Sequence, residues 1–181
     1  MIPHNQETAI LANGCFWCTE AIFQKLKGVA AVTPGFIGGI TENPTYKEVC
    51  TGTTGHAEAL HISFDPQQIS FRQLLEVFFA THDPTSLNRQ GNDIGTQYRS
   101  EIFYTNPDQK TQAERFIAIL NDQNFFGKPI VTQLSAATTF YPAEDYHFDY
   151  FNNHPENSYC SAVIAPKVEK FEKFFEEYIR K

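Results

Sequence analysis

Apolar and polar positions along the chain change period every ten to fifteen residues, the rhythm of a mixed fold. Thr8 to Ala12 is an apolar run ending at the turn pair Asn13-Gly14, and it predicts a first strand. A helix follows over about Phe16 to Leu26, with Ala21, Ile22 and Leu26 on one face and Gly28 as its stop. Val29 to Ile37 reads as a second strand, interrupted at Pro34-Gly35, and the polar stretch from Gly38 to Gly55 reads as a long loop. Leu60, Ile62 and Phe64 alternate with His61 and Ser63, the pattern of a half-buried strand. Ser70 and Gln73 form a capping box for a helix whose Phe71, Leu74, Leu75, Phe78 and Phe79 share one face.

A loop from Asp83 to Thr96 precedes a strand over Tyr98 to Tyr104. Asn106 then caps a helix that has Pro107 at its first position and carries Ala113, Phe116, Ile117 and Leu120. A strand near Ile130 to Leu134, an aromatic-rich irregular region reaching Cys160, and a helix from Lys167 complete the chain. The expected architecture is α+β: a single-domain two-layer sandwich with a ferredoxin-like β-α-β-β-α-β core and an irregular C-terminal segment ending in a helix. One domain is expected across residues 1–181, with a tail over about 141–181.

Composition narrows the function classes. Apolar residues make up 41% of the chain and charged residues 19%, a globular balance, and a chain this long buries roughly 70% of its unfolded surface without needing disulfide staples. Fourteen basic against 21 acidic residues give a net charge of −7, which disfavours nucleic acid as a partner. The longest apolar run, Phe116 to Leu120, falls far short of the ~20 residues of a membrane span. No signal peptide is legible after Met1, so a soluble protein of a reducing compartment, the cytoplasm, is expected, and a monomer. In such a compartment cysteines are catalytic, metal-binding or buried more often than bridged.

Four cysteines are present, and the only tryptophan lies between two of them, in Gly14-Cys15-Phe16-Trp17-Cys18. Cys15 falls where a strand and a glycine turn meet a helix start, and a helix N-terminus stabilises an anion, so a lowered thiol pKa and a nucleophilic Cys15 are expected. Three other readings stand beside this one: two small buried apolar residues, a zinc site, or a thioredoxin-like dithiol. Cys50 and Cys160 stand alone and the six histidines form no close pair, so no metal is expected. Two bulky aromatics inside Cys-x-x-Cys are unusual for a dithiol and suggest a nucleophile at the floor of an apolar pocket.

Gly14-Cys15-Phe16-Trp17 closely resembles the active-site motif of the A-type peptide-methionine sulfoxide reductases. Asn43-Pro44-Thr45-Tyr46, Gly55-His56-Ala57-Glu58, Gln90-Gly91-Asn92-Asp93, Gly95-Thr96-Gln97-Tyr98-Arg99-Ser100 and Ala143-Glu144-Asp145-Tyr146-His147 match the same family, in its order and across nearly the whole chain. The resemblance implies reduction of methionine (S)-sulfoxide, free and in proteins, with no bound cofactor. It assigns nucleophilic attack to a Cys15 thiolate and the proton to Glu58, and it gives Tyr46 and Tyr98 hydrogen bonds to the sulfoxide oxygen. Phe16 and Trp17 would enclose the S-methyl group, with Asp93, His147 and Tyr150 lining or supporting the pocket. Cys160, on a flexible C-terminal segment, would convert a Cys15 sulfenic acid into a Cys15–Cys160 disulfide that thioredoxin reduces.

Read without the motif, Glu58 fits the exposed face of an edge strand, and Tyr46 and Tyr98 fit ordinary half-buried tyrosines. As an acid, Glu58 must be raised by burial above its usual ~4.3. Cys18 lies about one turn from Cys15 and could bridge to it, competing with Cys160 or protecting the nucleophile. Cys50 reads as a structural bystander.

Overall fold

The computed structural model describes residues 5–181. Its centre is a six-stranded sheet built from β1 (Glu7–Asn13), β2 (Val29–Ile37), β3 (Ala57–Phe64), β6 (Ser100–Tyr104), β7 (Gln133–Ala136) and β8 (Tyr141–Pro142). The strand order is β7-β6-β1-β3-β2-β8, and all neighbours are antiparallel except β6 and β7, which run parallel. A separate two-stranded ribbon, β4 (Arg89–Gln90) with β5 (Asp93–Ile94), lies within what the sequence presents as a loop from Asp83 to Thr96. The fold is a single-domain mixed α/β architecture with helices on a central mixed sheet.

Helix α1 (Phe16–Phe23) and helix α3 (Phe71–Ala80) cover one sheet face. Ala9 and Leu11 of β1 and Leu60, Ile62 and Phe64 of β3 point into that layer and meet Ile22, Phe23, Leu74, Leu75 and Phe78. The opposite face carries Ile10, Ala12, Ala57, Ala59 and Phe103, and Ala137 and Phe140 pack over it. This division follows from strand alternation. The capping box at α3 forms as read, with Ser70 Oγ accepting from the Gln73 N–H and Gln73 Oε1 accepting from the Ser70 N–H. Helix α4 (Pro107–Asp122) starts at the Asn106 cap.

Several boundaries differ from the sequence reading. Helix α1 stops at Phe23 rather than Leu26, and all but one of its residues are buried, because the sheet lies on one side and the C-terminal segment on the other. Strand β2 runs unbroken through Pro34 and Gly35, which pair with Leu60 and Ala59. Its neighbour β8 pairs only with Gly35 and Phe36, so Pro34 lies where that ladder ends, and Pro34 O accepts the Ala143 N–H. A Cβ on Gly35 would meet the Phe140 ring at 2.5 Å, so glycine lets the covering segment come close. The long loop contains α2 (Tyr46–Cys50), capped by Thr45 and Glu48. Tyr98 belongs to a 3₁₀ turn ahead of β6, and β7 starts at Gln133.

The C-terminal segment is not loose. After α5 (Tyr150–Asn153), a π-helical turn over Cys160–Ile164 leads into α6 (Ala165–Phe174), and Cys160, Ile164, Val168 and Phe171 are all buried. Their spacing puts them on one helical face, and the segment packs against α1. The chain end is tied back by a bridge between Leu26 and Ile179. Among the described residues, no helix is long and apolar enough to cross a membrane.

Candidate active site

Cys15 is the cap residue of α1, with non-helical φ −56° and ψ 121°. Gly14 precedes it at φ +102°, a conformation that turns the chain sharply from β1 into the helix, and a Cβ there would strike the Gln90 side chain at 2.8 Å. The position is as read from the sequence, but the acidity is not. The Cys15 thiol is pushed well above its usual range, first by burial, then by the Cys18 thiol and the neighbouring Glu58. An eight-residue helix offers little opposing dipole, so desolvation wins and Cys15 rests as a thiol. Cys18 is shifted the other way, lowered chiefly by its contact with Cys15.

Glu58 is 1% exposed and stands in β3, an interior strand between β1 and β2, which corrects the edge-strand reading. It shares the helix-covered face with Leu60 and Ile62, two and four residues on. Its Oε1 accepts the Phe16 backbone N–H at 3.1 Å, whereas its Oε2 is buried with no partner among the described residues. Burial raises its pKa to about 8, with Asp93 and Cys18 adding to the rise and the Phe16 bond opposing it.

Tyr46 at the start of α2 and Tyr98 in its 3₁₀ turn are half-buried. Burial raises both phenols, and Glu58 is the first charged group acting on each, so the two hydroxyls belong to the Glu58 environment. Tyr46 N–H donates to Glu144 Oε1 at 2.9 Å, which anchors α2 to the segment after β8.

The aromatic residues assemble as a group. Phe16 is fully buried, with its ring 5.6 Å from Phe36, 6.1 Å from Tyr46 and 5.2 Å from His147. It is the backing of the site rather than an open wall. Trp17 keeps partial exposure and stacks on Tyr150 at 3.8 Å and 7°. Its Nε1–H donates to His147 Nδ1 at 3.0 Å, which fixes the histidine proton on Nε2. His147 is fully buried, its Nε2 has no hydrogen-bond partner among the described residues, and burial lowers its pKa, so it is neutral.

Cys160 is buried, and Asp93 is linked to the same region through Tyr159, whose hydroxyl donates to Asp93 Oδ2 at 2.7 Å. The same hydroxyl lies 3.7 Å from Cys18 Sγ. Sequence reasoning missed Tyr159, although it adjoins Cys160. It also missed Glu20, 3% exposed, whose Oε1 accepts the Tyr150 N–H at 3.3 Å, and His56, whose ring nitrogens hold Gly39 N and Thr41 O. Cys50 is exposed and ends α2, one turn after Tyr46. Among the described residues no group of three or more His, Cys, Asp and Glu side chains has metal-holding geometry.

A cysteine beside a neutral carboxylic acid, two phenols and an aromatic enclosure, on this mixed sheet, defines a thiol-dependent oxidoreductase. The family model described as peptide methionine sulfoxide reductase matches residues 7–179. The curated peptide methionine sulfoxide reductase MsrA of Deinococcus radiodurans is 55% identical over 175 residues, covering 97% of this chain and 85% of that protein. Mxr1 from Saccharomyces cerevisiae in reduced form superposes with a TM-score of 0.81 at 34% identity, covering 87% of this chain and 91% of that one. Mxr1 in complex with Trx2 shares the fold, with a TM-score of 0.59 at 24% identity over 82% and 86% of the two chains. The chain belongs to the peptide methionine sulfoxide reductase family, and its activity is that of a peptide-methionine (S)-S-oxide reductase.

Proposed function

We propose that this chain reduces methionine (S)-sulfoxide, free and within proteins, with Cys15 as nucleophile and Glu58 as acid, and so serves repair of oxidised proteins. The observation that carries the assignment is Glu58 itself: a neutral carboxylic acid whose Oε1 is held by Phe16 N–H and whose buried Oε2 lacks a partner among the described residues. A sulfoxide oxygen is the acceptor such a group needs.

Cys15 sulfur attacks the sulfoxide sulfur while Glu58 gives its proton to the oxygen, and the carboxylate then takes the proton leaving Cys15. The sulfoxide is reduced to methionine, and Cys15 is oxidised to a sulfenic acid that keeps the oxygen. Tyr46 and Tyr98 donate to the oxygen as charge grows on it. Trp17, held by Tyr150 and His147, walls the side that receives the S-methyl group, and Phe16 backs it. Asp93 holds Tyr159.

Recycling ends in a disulfide involving Cys160, reduced by an external dithiol. Thioredoxin fits this role, supported by the Mxr1 complex with Trx2. The reaction needs no bound cofactor or metal, and its four free thiols suit the reducing cytoplasm, with a monomer as the working form. An epimer-resolved sulfoxide assay with a dithiol reductant tests the assignment: Cys15→Ser should abolish turnover of the S epimer, and normal turnover in that variant would refute it.

A further inference from the structure

We infer that Arg99 is the positioning residue for Tyr98: clamped between Glu101 and the Thr96 carbonyl, on the sheet face away from Cys15, it fixes the turn that presents the Tyr98 phenol to the sulfoxide oxygen. The role rests on the reductase reading above, in which Tyr98 donates to that oxygen, and it names the residues that hold the phenol in place.

The turn that carries Tyr98 is short. Thr96–Tyr98 is a single 3₁₀ turn, in which Tyr98 N–H donates to Gly95 O at 3.0 Å and Arg99 N–H donates to Thr96 O at 3.2 Å. Such turns have poorer hydrogen-bond geometry than an α-helix, so outside support decides how firmly their side chains are aimed. Arg99 supplies that support. Its Nη1 donates to Thr96 O at 2.9 Å, so one carbonyl receives both the backbone and the side chain of Arg99. Tyr98 lies inside the ring that these two residues close.

The clamp and the phenol lie on opposite faces of the sheet. Arg99 and Glu101 share the parity of Phe103, which packs with Ile10 and Ala12 on the face away from α1. A Cβ on Gly38 would meet Arg99 Nη2 at 2.9 Å and the Phe103 ring at 3.0 Å, which puts the guanidinium beside that ring. The Tyr98 phenol instead feels the charges of Glu58 and Cys15, on the helix-covered face. Arg99 therefore acts through the backbone that it shares with Tyr98.

The clamp is an ion pair withdrawn from water. Arg99 Nε donates to Glu101 Oε2 at 2.6 Å, and the two side chains are 10% and 5% exposed. Glu101 Oε1 accepts the Ser135 hydroxyl from β7 at 2.8 Å, which stops the carboxylate from turning. Desolvation offsets most of the attraction in such a pair, so apolar residues of similar volume would hold the fold as well. What the pair adds is geometry. The guanidinium is a rigid planar fork, and with Nε set on Glu101 its Nη1 is aimed at Thr96 O. Lysine, a single point charge on a flexible stem, cannot hold both acceptors at these angles. Glu101 and Ser135 fall outside the motifs that the chain shares with its family, so this brace is not part of that resemblance.

The test is a double-mutant cycle against Tyr98→Phe, read as kcat and KM for methionine (S)-sulfoxide with a dithiol reductant. Arg99→Lys, Glu101→Gln and the apolar pair Arg99→Met with Glu101→Leu are each made in the wild-type and Tyr98→Phe backgrounds, with melting temperatures recorded; the apolar pair leaves no charge buried alone. In the wild-type background, Arg99→Lys and the apolar pair should lower kcat by about 10–100-fold with KM near its original value, and Glu101→Gln by less. In the Tyr98→Phe background the same substitutions should leave kcat unchanged, because the group they position is already gone. Equal fold-losses in the two backgrounds, or a wild-type kcat in the apolar pair, overturn the clamp. A Tyr98→Phe variant with wild-type kcat overturns it too, since nothing is then left to position. Wild-type turnover is scored first: its absence would refute the reductase reading itself, whereas normal turnover with additive losses refutes only the role of Arg99.

Discussion

Glu58 Oε1 accepts the backbone N–H of Phe16 at 3.1 Å, which ties the acid to the residue immediately after the nucleophile. Bond and burial act in opposite directions, since the N–H favours the carboxylate and desolvation favours the acid. Desolvation wins, and the pKa near 8 leaves Glu58 protonated at neutral pH. Activity should therefore fall as pH rises through about 8, by about tenfold per unit above it. Glu58→Gln keeps an oxygen for Phe16 N–H but has no acid proton to give. It should lower kcat by about 10²–10⁴-fold and erase the alkaline limb of the pH–rate profile. A Gln variant with the wild-type profile would remove Glu58 from the chemistry.

Tyr46 and Tyr98 approach Glu58 from separate elements, α2 and the turn before β6, and burial keeps both phenols protonated. Each hydroxyl gains value only as the sulfoxide oxygen acquires charge, so its loss should appear in kcat more than in KM. Tyr46→Phe and Tyr98→Phe should each cost about 10²-fold in kcat. Steady-state kinetics with unchanged melting temperatures checks this. A pure KM effect would make them binding residues only.

The stack of Trp17 on Tyr150 at 3.8 Å is, with the His147 bond, one of the contacts through which the C-terminal segment shapes the pocket. Tyr150→Ala should remove about 0.5–1.5 kcal/mol of aromatic pairing beyond buried area and free the indole to rotate about its His147 bond. The expected result is a raised KM for sulfoxide substrates, with a smaller drop in kcat. Trp17 fluorescence should report the released indole directly, and an unchanged spectrum and KM would show that the stack is dispensable.

What was legible in the sequence was local. The Ser70–Gln73 box, the Asn106–Pro107 start and the Leu60–Ile62–Phe64 alternation depend on residues a few positions apart, and all three stand as read. The alternation already put Glu58 on the Leu60 face. Its burial stayed hidden because strand order decides whether β3 is an edge, and that order is set by pairings with β1 and β2 far along the chain. The acidity of Cys15 departs from the local expectation for a related reason: the helix start is local, whereas the burial that raises the thiol and the nearby Glu58 charge come from packing against distant parts of the chain. The Tyr159–Asp93 bond spans 66 positions and leaves no spacing signal. The family motifs marked most of the site, and long-range packing supplied Tyr159, Glu20 and His56.

Glu20 provides a test that separates stability from catalysis. It is 3% exposed, accepts the Tyr150 N–H at 3.3 Å and has no cationic partner among the described residues, and burial raises its pKa to about 7. A carboxyl whose folded pKa lies above its unfolded value binds more protons when folded. Its stabilising contribution is thus complete below the unfolded value near 4.5 and is lost as pH rises through about 7. Glu58 adds loss of the same sign through about 8, so the wild type should melt at progressively lower temperature between mildly acidic and alkaline pH. Glu20→Gln preserves an acceptor for Tyr150 N–H and does not titrate. It should reduce the slope between about pH 4.5 and 7, where both carboxyls contribute, and leave in place the part between about 7 and 8 that belongs to Glu58. Thermal melts of both proteins across this pH range measure the difference. Parallel curves would mean that Glu20 does not titrate in the folded protein, whereas a flattened curve would identify the carboxylate under the Tyr150 turn as a source of the pH dependence.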